Sequence, residues 1–454
     1  MTKTTLSEKI GYSIASLGDA SYYGFISVFL LFFLTTVAGI SPAVAGTISA
    51  VGALWNAVFN PIMGYVSDRV FTRFGRRRPV IFAFAFPMAA ASFLLFTNID
   101  LPEHIKPIYY GIMLILYWTS YTGFFIPYLA LGAEYTSDYD DRTILRLFSS
   151  FFNMIGTLFS MVVPNLIVEL LQKGGLNLSQ AWSMTGLLLG VIAAVTVLIT
   201  VFTSKQKDMP VERPARQGPH SIVLEIKNIF KEYASVAMLR PMRYLIVASL
   251  CGLIIFTMML SNANYYFIYV KEMASLEVSS WLMLRSILGM VLIPLTAKLI
   301  RAIDKRGTLI GTYLFGAAGL CMMRFTEFPG FVENLLYMVF FTICTTIYWQ
   351  IMPGIFYDVC EYDQIKNGKS RTATIVSFQG LVEAVAVGVG GQLLGIILDS
   401  AGFDGTTAVQ SQSALLWIEN AGTLIPVVFI VIACIALYKY PITKKYYEEM
   451  MKGQ

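Results

Sequence analysis

An all-α protein that crosses a membrane many times is the fold class this sequence predicts, and three observations predict it. Of 454 residues, 56% are hydrophobic and only 13% charged, with a mean hydropathy of +0.65, whereas about a quarter of a soluble domain is charged. The apolar residues come in runs of about twenty or more, the length that crosses roughly 30 Å of hydrocarbon as a helix. Between the runs lie short loops, and the basic residues collect in every second one.

In chain order, twelve spans are expected near 10–37, 43–66, 80–98, 107–133, 147–171 and 182–203, then 243–270, 279–300, 308–325, 332–357, 372–398 and 415–438. Between the sixth and seventh, 204–242 is the one long polar stretch. It reads as a linker between an N-terminal six-helix bundle over 1–203 and a second bundle over 243–438, with 439–454 as a tail. Its second half, 221–233, has the make-up of an amphipathic helix lying on the membrane. Lys3, Glu8 and Lys9 precede a long first span with no small-residue cleavage site, so a removed signal peptide is not expected.

Orientation follows from the basic loops. One set carries Arg69 to Arg78, the linker basics, Lys298 to Arg306, Lys366 to Arg371 and the tail lysines; the other carries Lys106, Lys173, Lys271 and Arg324. The asymmetry predicts a multi-pass protein of the plasma (inner) membrane with both termini in the cytoplasm. The net charge of +5 is dispersed between spans, so no nucleic-acid partner is expected. The five cysteines are scattered without metal-type spacing and both histidines lie in loops, which leaves no expected metal site, cofactor or nucleophile–base pair.

The halves repeat weakly. Gly64 to Arg78, with Asp68, Arg69 and Arg76, has a counterpart in Ala302 to Gly307, and Glu134-Tyr135 with Arg142-Thr143 is echoed by Glu361-Tyr362 with Arg371-Thr372. Parallel repeats of this kind predict a substrate site at the membrane midplane between the halves.

The spacing of Gly64, Asp68, Arg69 and Gly75-Arg76-Arg77-Arg78 between two spans resembles the loop 2–3 signature of the major facilitator superfamily. Trp55 to Gly64 with Gly75 to Pro79, Ile126-Pro127-Tyr128 with Gly132-Ala133-Glu134, Asp138 to Thr143, and Trp349 to Asp358 with Glu361-Tyr362 resemble the glycoside–pentoside–hexuronide:cation symporters, the melibiose-permease-like sugar transporters. The resemblance implies a major facilitator fold, cation-coupled sugar symport and a glycoside, pentoside or hexuronide as small-molecule partner; a monomer in the bilayer is expected. It also implies departures. Two sodium-site aspartates of melibiose-type members fall on Asn56 and Asn60, a fourth-span carboxylate on Phe125, a fifth-span arginine on Ser150 and an eleventh-span lysine on Ala384; the first-span aspartate is present as Asp19, one residue out of register. An amide adds no charge to balance a cation, so H+ is expected in preference to Na+.

Ionisable groups inside spans are costly and usually functional. Asp19 and Glu383 lie deep in the first and eleventh spans, where a carboxyl can exchange a proton near neutral pH. Either serves as the coupling carboxylate or as a fixed partner of Arg285, which otherwise forks onto an anionic substrate or snorkels outward. Ring faces with amides and hydroxyls suit a sugar; Tyr121, Tyr128, Asn262, Trp349 and Gln379 are the candidates, Tyr117 and Trp118 lie beside them, and Tyr265 and Tyr266 read as interfacial belt residues. Asn56 and Asn60, four apart, either ligate the cation or tie helices together. Asp68, Arg76, Glu134, Arg142, Asp358, Glu361 and Arg371 are expected to form a cytoplasmic ion-pair belt that biases the access states, and the Arg cluster to stay out of the interior. An uncoupled facilitator, or a carrier of a non-sugar amphiphile or organic anion, is the alternative; an enzyme is not expected.

Overall fold

Apolar segments in hydrocarbon satisfy their backbone only as helices, and among the described residues twelve helices are long and apolar enough to cross a membrane. In the computed structural model the described residues are 4–70, 72, 74–135, 139–204, 231–368, 371–407 and 409–452; the side chains at 133, 134, 139, 140, 142, 143, 372, 373, 377, 448, 451 and 452 lie outside the description. Spans 1 to 6 are Leu6–Thr36, Pro42–Arg69, Arg78–Leu95, Lys106–Gly132, Ile144–Lys173 and Leu178–Thr203. Spans 7 to 12 are Arg240–Val270, Ser275–Ala302, Lys305–Phe325, Gly330–Asn367, Thr374–Ser400 and Gln412–Tyr447. Among the described residues the β pairing is confined to the Thr72–Gly75 bridge that turns the charged loop, where Gly75 at φ 105° adopts backbone that a side chain would strain.

The helices depart from even rods at defined places. Span 1 breaks at Ile14 and span 12 at Thr423, and span 7 ends in a π-helical turn, Tyr266–Val270. Span 10 runs ten residues past its expected end at 357, because helical hydrogen bonding continues wherever charged side chains can reach out of the apolar layer; Gly368, left-handed at φ 62°, stops it. The structure also moves Tyr265 and Tyr266 out of the expected belt. Both are buried: Tyr266 stacks on Tyr337 with ring centroids 4.4 Å apart, and Tyr265 meets Phe403 edge-on at 5.2 Å.

Two compact units result, one built on spans 1–6 and the other on spans 7–12. In the first, span 3 packs on spans 4 and 6, and span 1 on spans 5 and 6; in the second, span 9 packs on spans 10 and 12, and span 7 on spans 11 and 12. The packing therefore repeats six spans on, which the weak motif echoes anticipate. Close approach uses glycine: a Cβ at Gly186 or Gly190 of span 6 would lie 2.8 Å from backbone atoms of Ser92 or Ala89 in span 3. Outward faces carry exposed large apolar side chains such as Phe86, Phe151 and Phe315, as lipid-facing surfaces must. The expected surface helix over 221–233 falls mostly on residues outside the description; 231–237 is helical, and Tyr233 meets Phe378 edge-on at 5.4 Å.

The chain start is strapped to the segment before span 5. Thr4 donates to Asp141 Oδ2 through its amide at 3.0 Å and its hydroxyl at 2.5 Å, and Lys9 Nζ lies 2.7 Å from Oδ1. Burial would raise the Asp141 pKa, but bonds from Lys9 and Thr4 outweigh it and hold the carboxyl well below the usual carboxylate range. A folded-state pKa below the unfolded value near ~3.9 means that the strap is fully stabilising above that pH and weakens as pH falls through the folded value. Hydrogen exchange of the amides over 4–10 should accordingly stay slow on acidification to about pH 4, and Asp141→Asn should speed it about tenfold at neutral pH. Equal exchange in the two proteins would show that Asp141 does not hold residues 4–10 in place.

Candidate functional site

In the first unit three helices converge on Asp19. Span 1 carries it, and it is 9% exposed. The Tyr121 hydroxyl of span 4 donates to Oδ1 at 2.8 Å, and the Asn153 amide of span 5 faces Oδ2 at 3.5 Å. No cation among the described residues of this unit pairs with it. Tyr121 is held by its neighbours: its ring stacks on Phe125 at 5.2 Å and meets Trp118 edge-on at 5.6 Å. Behind it Tyr22 stacks on Tyr117 at 3.9 Å, and the Tyr117 hydroxyl donates to the Tyr22 carbonyl at 2.7 Å. An aromatic wall of this kind fixes the hydroxyl at the carboxylate. Phe125, which the sequence resemblance sets at the position of a carboxylate, thus supplies a ring face.

The neighbouring candidates divide. Asn56 accepts a hydrogen bond from the Thr122 hydroxyl at 2.7 Å, tying span 2 to span 4, while Asn60 lies one turn further on, half-buried, before Pro61. Tyr128 is buried; its hydroxyl bonds Ser16 at 2.8 Å and its ring stacks on Tyr12 at 4.7 Å, so it joins span 4 to span 1.

In the second unit Arg285 of span 8 is buried. Its Nη2 donates to the Thr345 hydroxyl of span 10 at 3.1 Å, and its guanidinium lies 4.9 Å from the Phe341 ring centroid. It faces inward, held by hydrogen bond and ring face, rather than snorkelling. Trp349 is 37% exposed and meets Phe256 edge-on at 5.6 Å, so one ring surface stays open. Gln379 and Glu383, four apart on span 11, share a face and are half-buried. Asn262 is fully buried and donates to the Ile418 carbonyl at 2.9 Å, joining span 7 to span 12.

A family model described as MFS/sugar transport protein matches residues 11–444. The chain belongs to this family. An uncharacterized symporter of Bacillus subtilis (strain 168), YnaJ, is 28% identical over 459 residues, covering 99% of this chain and 95% of that protein. The isoprimeverose transporter of Lactiplantibacillus pentosus is 26% identical over 448 residues, covering 96% and 89%. These likenesses place the chain among the glycoside–pentoside–hexuronide:cation symporters of the major facilitator superfamily. A bacterial homolog of the human lysosomal transporter Spinster, in an inward-facing and unoccupied conformation, aligns with a TM-score of 0.70 at 13% identity, over 99% of this chain and 97% of that one; at that identity the likeness speaks for the major facilitator fold. The chain is a membrane transporter and not an enzyme.

In this family member the charged groups at the basic helix ends pair locally. Asp68 Oδ1 is 2.6 Å from both Arg76 and Arg77, and Arg77 also donates to the Ser67 hydroxyl at 2.5 Å. Arg78 donates to the Val201 carbonyl at the end of span 6 at 2.7 Å. Contrary to expectation, Arg77 and Arg78 are buried, 5% and 8% exposed. Their donors meet a carboxylate, a hydroxyl, the Val201 carbonyl at a helix end and the Phe74 carbonyl of the loop, which offsets the desolvation. The second unit repeats the device: Arg306, at the start of span 9, donates to the carbonyls of Tyr438 and Tyr440 at 2.6 and 3.1 Å, where the Leu424–Lys439 helix of span 12 ends.

Asp358 pairs with Lys305 at 2.6 Å, and Glu361 accepts a hydrogen bond from the Tyr447 hydroxyl. Arg371 forks onto Asp363, with Nε and Nη2 at 2.8 and 2.7 Å from its two oxygens. The side chains of Glu134 and Arg142 lie outside the described residues. The sequence reading does not single out Asn153 or Asp363, and it places Lys305 only within the Ala302–Gly307 repeat. Asn153 carried a signal, as an amide within an apolar span, whereas Asp363 lay beyond the expected end of span 10.

Proposed function

We propose that this transporter carries a glycoside, pentoside or hexuronide by alternating access in symport with a cation, H+ rather than Na+, across the plasma membrane with both termini in the cytoplasm. The observation that carries the reading is the buried carboxyl of Asp19, supplied with a hydroxyl and an amide, beside a second span whose cation-site positions are the neutral Asn56 and Asn60. A lone carboxyl with neutral donors can exchange a proton, while a site of amides lacks the charge that would hold a sodium ion. The similarity to an isoprimeverose transporter supports a sugar as cargo.

In the first unit Asp19 takes the proton and Tyr121 follows its charge. In the second, Trp349 offers a ring face, Gln379 an amide and Glu383 a second acid, and the inward Arg285 favours a uronide carboxylate. The local pairs of Asp68, Asp358, Glu361 and Arg371 order the helix ends and bias the access states.

The test is uptake into proteoliposomes against imposed proton or sodium gradients, with a panel of glycosides and uronides. Sugar-dependent alkalinisation outside, and accumulation driven by a proton gradient alone, are the expected results. Equal entry with and without either gradient would make the protein a facilitator, and accumulation that requires sodium would reverse the ion assignment.

A further inference from the structure

A cavity of about 320 Å³ lies at the basic end of the second unit, beside the Asp358–Lys305 pair and away from Arg285, Trp349, Gln379 and Glu383, among spans 8, 9 and 10 and the terminal helix Lys444–Lys452. Its apolar wall is Ile300, Ile355 and Ile442, and three cations, Lys305, Arg306 and Lys444, line it against two carboxylates, Asp304 and Asp358.

Both carboxylates are already engaged. Asp304 caps the span 9 helix by accepting from the Gly307 amide, and Asp358 is paired with Lys305. Lys444 is exposed and has no ion-pair partner among the described residues. Tyr440, a further lining residue, is 2% exposed, and its hydroxyl has no hydrogen-bond partner among the described residues. Such a buried hydroxyl is costly unless something accepts from it. The first turn of span 9 adds the positive end of a helix. Beside the cavity, Ile303 and Tyr438 are 57% and 74% exposed, an apolar flank at the level of the cationic groups.

We propose that this cavity binds a phosphoryl group, with Lys444 and Lys305 meeting its charge and the Tyr440 hydroxyl donating to one of its oxygens. Basic pockets between helix ends recognise anionic headgroups in this way. The same chemistry is offered by an anionic phospholipid, whose glycerol would lie on the isoleucine wall, and by a soluble phosphate. Occupancy would brace the terminal helix, which Tyr447 already ties to Glu361, against spans 9 and 10. None of this depends on which sugar or cation is carried.

The experiment follows thermal unfolding of the full chain in a neutral detergent while dihexanoyl-phosphatidylglycerol, dihexanoyl-phosphatidylcholine or inorganic phosphate is titrated. Saturable stabilisation by phosphatidylglycerol beyond that by phosphatidylcholine is expected, with half-saturation moved about tenfold upward in Lys444→Gln and in Tyr440→Phe. Stabilisation by phosphatidylglycerol alone assigns the site to a lipid headgroup; saturable stabilisation by inorganic phosphate, weakened by the same substitutions, assigns it to a soluble ligand. The proposal is overturned if neither anion stabilises the protein, or if both variants respond like wild type.

Discussion

Asp19→Asn should lower gradient-driven sugar accumulation in proteoliposomes on the order of 100-fold, as expected where hydrogen bonds to a charged group are lost or inverted. The carboxyl receives the Tyr121 hydroxyl at 2.8 Å and faces the Asn153 amide at 3.5 Å. An amide in its place neither takes up a proton nor accepts from both donors, so the site loses its charge while the packing is nearly unchanged. Tyr121→Phe removes one donor and keeps the ring in its stack on Phe125, and a loss of about tenfold is expected. Exchange of labelled for unlabelled sugar, which needs no net proton movement, separates the roles. A coupling carboxyl leaves exchange in Asp19→Asn and removes accumulation, whereas a group that only grips the sugar removes both. Wild-type accumulation by Asp19→Asn would take the cation assignment away from this residue.

Arg371→Ala should be among the most destabilising single substitutions at the helix ends. Asp363 is fully buried and receives both arms of Arg371, whose side chain is 17% exposed. Removing the arginine leaves a buried carboxylate without the cation that forks onto it, and the Asn367 amide, which donates to it at 2.8 Å, carries no charge to replace that cation. Uncompensated burial of this kind costs about 3–5 kcal/mol, a fall in Tm on the order of 10 °C for a unit of this size. Asp363→Asn should cost less, because the arginine then keeps Ser235 at 2.8 Å and a path to water. Four of the five cysteines are buried, so a thiol-reactive dye reports unfolding directly. A melting curve for Arg371→Ala that overlays wild type would show that Asp363 is satisfied without it.

How much of this was legible before the structure varies with the range of the interaction. Asp19 stood out because a carboxylate inside an apolar run is conspicuous in a one-dimensional pattern, and Trp349 and Gln379 stood out by likeness to the family. The partners did not. Tyr121 was a candidate for the sugar rather than for the carboxylate, and Asn153 was not noticed, since the residues that meet Asp19 lie more than a hundred positions away in the chain. The belt shows the same limit. Its members were named by charge and motif, yet Arg371 chose Asp363, and Asp358 chose Lys305, because helix phase at a span end decides which acid faces which base.

By itself the sequence determined the class, the number of spans, the repeat and the family, for a physical reason: hydrocarbon demands long apolar helices and expels unpaired charge, and both leave a pattern readable along the chain. Only the tertiary structure decided which polar groups are open and which are consumed in packing. Tyr128 and Asn262 read like site residues but tie helices together. Arg77 and Arg78 read like exposed loop charges but are buried on partners that include a carbonyl at the far end of span 6. Those outcomes depend on which helix faces meet, and a residue's own neighbours in sequence carry no record of that.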